Sequence, residues 1–228
     1  MGKESSSRVQ TSIVSRVEKD ILVWLAKRQP RWVTSDFLTY LGLLGAAICA
    51  LGFIFSTINI QFLWLSSFGL LVNWYGDSLD GTLARVRNLQ RPIYGFFLDH
   101  SLDALTICLM CIGAGLSPIF RLDVAFLVLT GYLVLSIYTY ICTILKDEFR
   151  LTYNSFGPTE FRIAIIFLNT IVMYSPLLEY SCSIGKQVFG FFDFIALGIG
   201  VFLFLSYLMQ FLKDRKLFAE KDPFKPYL

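Results

Sequence analysis

Asp77-Ser78-Leu79-Asp80-Gly81-Thr82-Leu83-Ala84-Arg85 is followed, nine residues later, by Gly95-Phe96-Phe97-Leu98-Asp99-His100-Ser101-Leu102-Asp103. Long apolar runs flank this block on both sides. Carboxylates at the edge of a membrane span are costly and mark a functional site by default. The spacing is helical. Positions 77, 80, 81, 84 and 85 fall on one helix face, and 95, 99 and 103 on another. Two such helices set side by side bring the four aspartates together.

The surrounding chain is that of a membrane protein. Hydrophobic residues make up 55% and mean hydropathy is +0.61, above an ordinary soluble domain. Nearly uncharged runs occupy Phe37–Thr57, Gln61–Gly76, Gly95–Phe120, Leu122–Leu145, Glu160–Leu178 and Val188–Leu212. Each is about the length of a bilayer-spanning helix, the second only when the aspartate motif extends it. The expected fold is all-α: a polytopic membrane protein with six transmembrane helices and an N-terminal interfacial amphipathic helix. Six buried helices of a soluble protein would need far more polar chain around them.

Placement of charge matters more than the net +3. Lys3, Arg8, Arg16, Lys19, Lys27, Arg28 and Arg31 precede the first span. Arg85, Arg87 and Arg91 lie between the second and third; Lys146 and Arg150 between the fourth and fifth, with Arg162 nearby; five more follow the last, from Lys213 to Lys225. The opposite connections hold only Arg121 and Lys186. The positive-inside rule puts both termini and the aspartate block on the cytoplasmic side. No cleavable signal peptide is expected. The basic residues are scattered along membrane boundaries rather than forming a stripe, so nucleic acid is not an expected partner. Cys49, Cys108, Cys111, Cys142 and Cys182 are odd in number and lie in or beside apolar runs, which suits small core residues rather than disulfides or metal ligands.

Residues 1–11 are Ser-rich and fit a disordered segment. In residues 12–28, Ile13, Val14, Val17, Ile21, Trp24 and Leu25 share an apolar face, as an interfacial helix requires. Pro30 ends it, and Thr34 or Ser35 can cap the next helix. Gly42, Gly45 and Gly52 permit close helix approach. The domain boundaries read as 1–33 for the cytoplasmic N-terminal segment, 34–213 for the membrane domain and 214–228 for a cytoplasmic tail.

Asp77, Asp80, Gly81, Ala84, Arg85, Gly95, Asp99 and Asp103 resemble the signature of the CDP-alcohol phosphotransferase family of integral membrane enzymes. Eight fixed positions with a consistent helical logic make this a specific match. The interval between Arg85 and Gly95 is one residue longer than the usual eight, in a loop that can absorb it. The resemblance implies that Asp77, Asp80, Asp99 and Asp103 hold divalent cations, two Mg²⁺ with Mn²⁺ as an alternative, and that Asp103 also serves as general base. Oxygen-only donors suit such hard ions, and two metals can clamp a pyrophosphate. Gly81 and Ala84 leave the helix face open to a nucleotide, and Arg85 can pair with phosphate. Thr34-Ser35-Asp36-Phe37-Leu38-Thr39 is similar to the family's Pro-Asn-x-x-Thr region, which makes Asp36 and Thr39 candidates for binding the CDP moiety. A plain helix cap is the alternative there.

His100 is the only histidine and could touch substrate or support a carboxylate. Glu160 and Arg162 could serve the acceptor or form a structural network with each other. The implied reaction joins a CDP-linked donor to a hydroxyl acceptor, one of them a membrane lipid, with release of CMP in phospholipid biosynthesis. Transfer of a phosphatidyl group from CDP-diacylglycerol to a small acceptor is the favoured branch. Transfer of a phospho-head group from a CDP-aminoalcohol or CDP-polyol to diacylglycerol is the other. The family also implies a homodimer. From different classes, a cation transporter would need carboxylates near mid-membrane, and an inactive scaffold would be expected to have lost an aspartate.

Overall fold

The computed structural model describes residues 15–146 and 158–224. The expectations for residues 1–11, for Ile13 and Val14, for Gly157 and for the rest of the fourth-to-fifth connection lie outside the described residues. Seven α-helices follow in order: α1 (Ser15–Arg28), α2 (Ser35–Phe55), α3 (Leu63–Val86), α4 (Pro92–Gly115), α5 (Leu122–Lys146), α6 (Pro158–Tyr174) and α7 (Phe191–Lys221). Local sequence sets their ends. Thr34 accepts a hydrogen bond from the Phe37 N–H at 3.1 Å and starts α2. Pro92 opens α4, where its missing N–H costs nothing. Asn88, at φ 55°, ends α3 in the left-handed conformation. The Leu89 N–H bonds the Ala84 carbonyl at 3.0 Å and the Asn88 N–H bonds that of Arg85 at 3.2 Å, which is a Schellman turn.

Four described helices, α2, α4, α5 and α7, are long and apolar enough to cross a bilayer. The chain is an integral membrane protein with a helical body. Of the six expected spans, the other two correspond to α3, which carries the aspartates, and to the shorter α6, which carries Glu160 and Arg162. Large apolar side chains such as Phe68, Phe97, Phe167 and Met209 point outward, as a lipid solvent allows.

The boundaries depart from expectation after α6. That helix stops at Tyr174 rather than Leu178, because Ser175 caps a short 3-10 turn over Pro176–Glu179. Val188, expected to open the last span, lies instead in an antiparallel hairpin, β1 (Ser181–Ile184) and β2 (Gln187–Gly190). Gly185 takes the first turn position at φ 63°, as a two-residue hairpin turn requires. The buried Asp193 carboxylate then accepts from the Gly190 N–H at 2.8 Å and the Arg121 N–H at 2.7 Å. It ties the hairpin and the α4–α5 turn to the start of α7.

The core is a seam between α2 and α3. Gly42, Gly45 and Gly52 on α2 meet Gly69 and Gly76 on α3 so closely that an added Cβ has no room: at Gly45 it would strike the Asn73 backbone, and at Gly69 the Cys49 backbone. Leu38, Leu79 and Leu83 close the seam at one end with Leu22 and Ala26 of α1. Cys49, Phe53, Leu63 and Leu70 fill the other end with Val172 and Phe192. Gly45→Val should therefore lower stability by ~3 kcal/mol or more through overpacking against backbone that cannot retreat. Gly95→Ala meets nothing within 4 Å and should leave the melting temperature unchanged or slightly raised. Thermal unfolding in detergent checks both.

Candidate active site

One end of the α2–α3 seam runs straight into the aspartates. Asn73 sits at the glycine contact and donates from Nδ2 to the Gly42 carbonyl at 2.9 Å. Its Oδ1 accepts from Nε of Arg162, on α6, at 2.8 Å. The same guanidinium donates from Nη2 to Asp77 at 2.5 Å. One arginine from a third helix is thereby fixed against the first carboxylate of the motif. Its Nη1 is buried with no partner among the described residues.

Asp80 is the most enclosed of the four, at 8% exposure. Thr39 Oγ1 donates to Asp80 Oδ2 at 2.7 Å, and Ser35 Oγ to the Asp80 backbone carbonyl at 2.9 Å. The Gly81 N–H donates to Asp80 Oδ1. These bonds fix one carboxylate in place from α2. Asp77, Asp99 and Asp103 are partly exposed, so they remain open to a ligand. Asp103 lies within electrostatic reach of Asp77, Asp99, Asp80 and Arg162, and Asp80 within reach of Asp99 and Asp77. The two halves of the motif therefore face each other across α3 and α4.

His100 Nδ1 lies 3.2 Å from Asp99 Oδ2. Its ring stacks on Tyr140 of α5, with centroids 5.0 Å apart, and sits 4.1 Å from Phe96. Ligand atoms of Asp99, His100 and Asp103 all lie within 4.8 Å of one another. A carboxylate-rich set of this kind, half open and crowded with like charge, fits a divalent cation.

The remaining expected residues are placed as follows. Gly81 carries open space: an added Cβ would find only the Arg85 guanidinium, at 3.5 Å. Ala84 is half-buried on the next turn. Arg85 donates to Thr82 Oγ1 at 3.0 Å. Asp36 pairs with Arg91, whose guanidinium also lies over the Tyr94 ring at 4.2 Å. That carboxylate hydrogen bond holds the Arg91 pKa above its ordinary value. Arg87 is engaged by the carbonyls of Gln29, Pro30 and Val33. Arg162 bonds Asp77 and Asn73, so it serves the aspartates directly, beyond the network with Glu160 considered from sequence.

Sequence reasoning did not single out Asn73 or Tyr140, and it read Ser35 as a possible helix cap rather than as a partner of the Asp80 backbone. Asn73 could have been found, since it lies one turn before Asp77 on the same helix face. Tyr140 could not, because its place beside His100 depends on how α5 packs on α4.

A family comparison gives this site its class, a membrane transferase acting on a phosphate-linked substrate. The chain belongs to the CDP-alcohol phosphatidyltransferase family, whose profile matches residues 32–207. Membership carries transfer of a phosphate-linked group from a CDP-alcohol to a hydroxyl acceptor in a membrane. A comparison with curated proteins finds no match.

With Arg162 offsetting repulsion between the carboxylates, Arg162→Leu should destabilise the cation-free protein by about 1–3 kcal/mol. Added Mg²⁺ should then raise the melting temperature less in the variant than in the unmodified chain, because Asp77 lacks the partner that holds it in place. Thermal unfolding with EDTA and with excess Mg²⁺ reads this directly.

Proposed function

We propose that the chain transfers a phosphatidyl group from CDP-diacylglycerol to a small hydroxyl acceptor and releases CMP. Asp77, Asp80, Asp99 and Asp103 hold the divalent cations, two Mg²⁺ with Mn²⁺ as a substitute. The convergence of these four carboxylates beside the open face at Gly81 carries the reading. The bound cations supply charge neutralisation for the pyrophosphate and its leaving oxygen.

The protein's own groups do the rest. Gly81 and Ala84 leave room for the nucleotide along α3, and Arg85 faces its phosphates. Thr39 acts through Asp80 by fixing that carboxylate. Asp36 binds or releases the nucleotide at the mouth, in exchange with Arg91. The Arg162 Nη1 donates to a phosphate or acceptor oxygen, with Glu160 alongside. His100, stacked on Tyr140, holds the Asp99 carboxylate in orientation. Asp103 takes the proton from the acceptor hydroxyl as that oxygen attacks the phosphorus nearest the alcohol. The bond from this phosphorus to the CMP oxygen breaks, and CMP departs.

The distribution of Lys and Arg supports a cytoplasmic site with both termini on the same side. It also supports six membrane passes, α2 to α7, with α1 lying in the interface. A homodimer accords with the family.

Purified protein with Mg²⁺ and a panel of donor and acceptor pairs should release CMP from CDP-diacylglycerol and a small hydroxyl acceptor. Release only from a CDP-head group with diacylglycerol would move the assignment to the other branch. No CMP from any pair, together with no nucleotide binding, would reject it. Asp103→Asn should cut turnover by roughly 10²–10⁴-fold, the range for loss of a general base, while CDP binding stays measurable. Gly81→Leu should keep the melting temperature of the unmodified chain and lose CDP affinity, as isothermal titration would show.

A further inference from the structure

α1 lies outside residues 32–207, the part the family profile matches, yet it is bonded into the site. Glu18 is only 8% exposed. Its Oε1 accepts from Trp74 Nε1 at 2.9 Å and from Thr159 Oγ1 at 2.6 Å. A carboxylate acceptor makes both bonds stronger than neutral ones. Trp74 follows Asn73 on α3. Thr159 lies in the first turn of α6, three residues before Arg162 and on the same face. Glu18 is thus bonded to Thr159 in the first turn of α6, and the same helix one turn on carries Arg162 to Asp77 and Asn73.

α1 is itself held firmly by α3. Gln29 Nε2 donates to the Tyr75 hydroxyl at 2.6 Å. Arg87 donates to the carbonyls of Gln29 at 3.0 Å and Pro30 at 2.8 Å. Leu22 and Ala26 pack with Leu79 and Leu83. α3 therefore fixes where Glu18 stands, and Glu18 ties the first turn of α6 to it, ahead of the direct bonds from Arg162 to Asn73 and Asp77. An apolar side chain of similar size would fill the same space without the cost of burying a charge, but it could not hold both donors.

We propose that Glu18 is a positioning residue: it sets the first turn of α6 through Thr159 and thereby delivers the Arg162 guanidinium to Asp77. The proposal rests on the reading of Asp77 as a cation ligand. It makes the N-terminal helix a working part of the catalytic unit as well as a support for the bundle.

The test uses the full chain in lipid nanodiscs with Glu18→Leu, Glu18→Gln and Thr159→Val. Mn²⁺ affinity is read by electron paramagnetic resonance, and amide exchange over residues 158–162 is read in the cation-free protein. Glu18→Leu and Thr159→Val should each weaken Mn²⁺ binding about tenfold, the low end for residues that support metal ligands. Both should speed exchange in that turn. Glu18→Gln keeps an oxygen acceptor for both donors and should restore affinity and protection to the level of the unmodified chain. A purely structural Glu18 would lower the melting temperature and leave Mn²⁺ affinity untouched, and that result would overturn the proposal. If Glu18→Leu does not fold, Thr159→Val, which deletes a single bond, decides alone. Absence of Mn²⁺ binding by the unmodified chain would overturn the cation reading, and the role of Glu18 with it.

Discussion

Close approach of α2 and α3 is the constraint on which the site depends. Glycines on both sides of the seam let the two backbones touch, and Asn73 lies in that contact against Gly45. Its amide then has one partner on each side, the Gly42 carbonyl and the Arg162 guanidinium. One turn on, Asp77 meets the same arginine. One turn beyond that, Thr39 of α2 reaches Asp80. Helix spacing at the seam thus translates into carboxylate positions at its end. A larger residue in the contact would spread the helices and move each of these partners by more than a hydrogen bond tolerates.

Charge is the second constraint. Four carboxylates at one end of a membrane bundle repel each other, and repulsion is strong where water is scarce. The structure offsets this unequally. Asp80 is enclosed and hydrogen-bonded by neutral groups, Asp77 has an arginine, and Asp99 and Asp103 face each other beside His100. Two anchored carboxylates and two more open ones make a site that is formed in advance and still short of positive charge. That is the condition in which a divalent ion and a phosphate-bearing ligand have most to contribute.

Much of this was legible in the sequence. The spacing of Asp77, Asp80, Asp99 and Asp103 fixed two helix faces before any coordinates, and Gly42, Gly45 and Gly52 announced close packing. Thr34 as a cap and Pro92 as a helix start follow from local chemistry alone. What stayed hidden depends on tertiary placement. Nothing in the local pattern says that Arg162, 85 positions from Asp77 along the chain, should reach it. The Asp36–Arg91 pair needs the loop path through Asn88, whose left-handed turn redirects the chain after α3. The end of the hairpin, Val188–Gly190, reads from sequence as the start of the last span because Val188 and Phe189 continue the apolar run. Gly185 and Gly190 were the punctuation that the hydropathy signal outweighed.

The two ends of the bundle are fastened by different means. Far from the aspartates, Asp193 clasps the Gly190 and Arg121 amides together, so that the hairpin and the α4–α5 turn are fastened to the start of α7. At the opposite end, beyond the apolar cluster of Leu38, Leu79 and Leu83, hydroxyls, guanidinium groups and carboxylates meet, some of them open to a ligand. A bundle fastened in this way would take up strain from a bound ligand at its polar end, with the hairpin end as the fixed pivot.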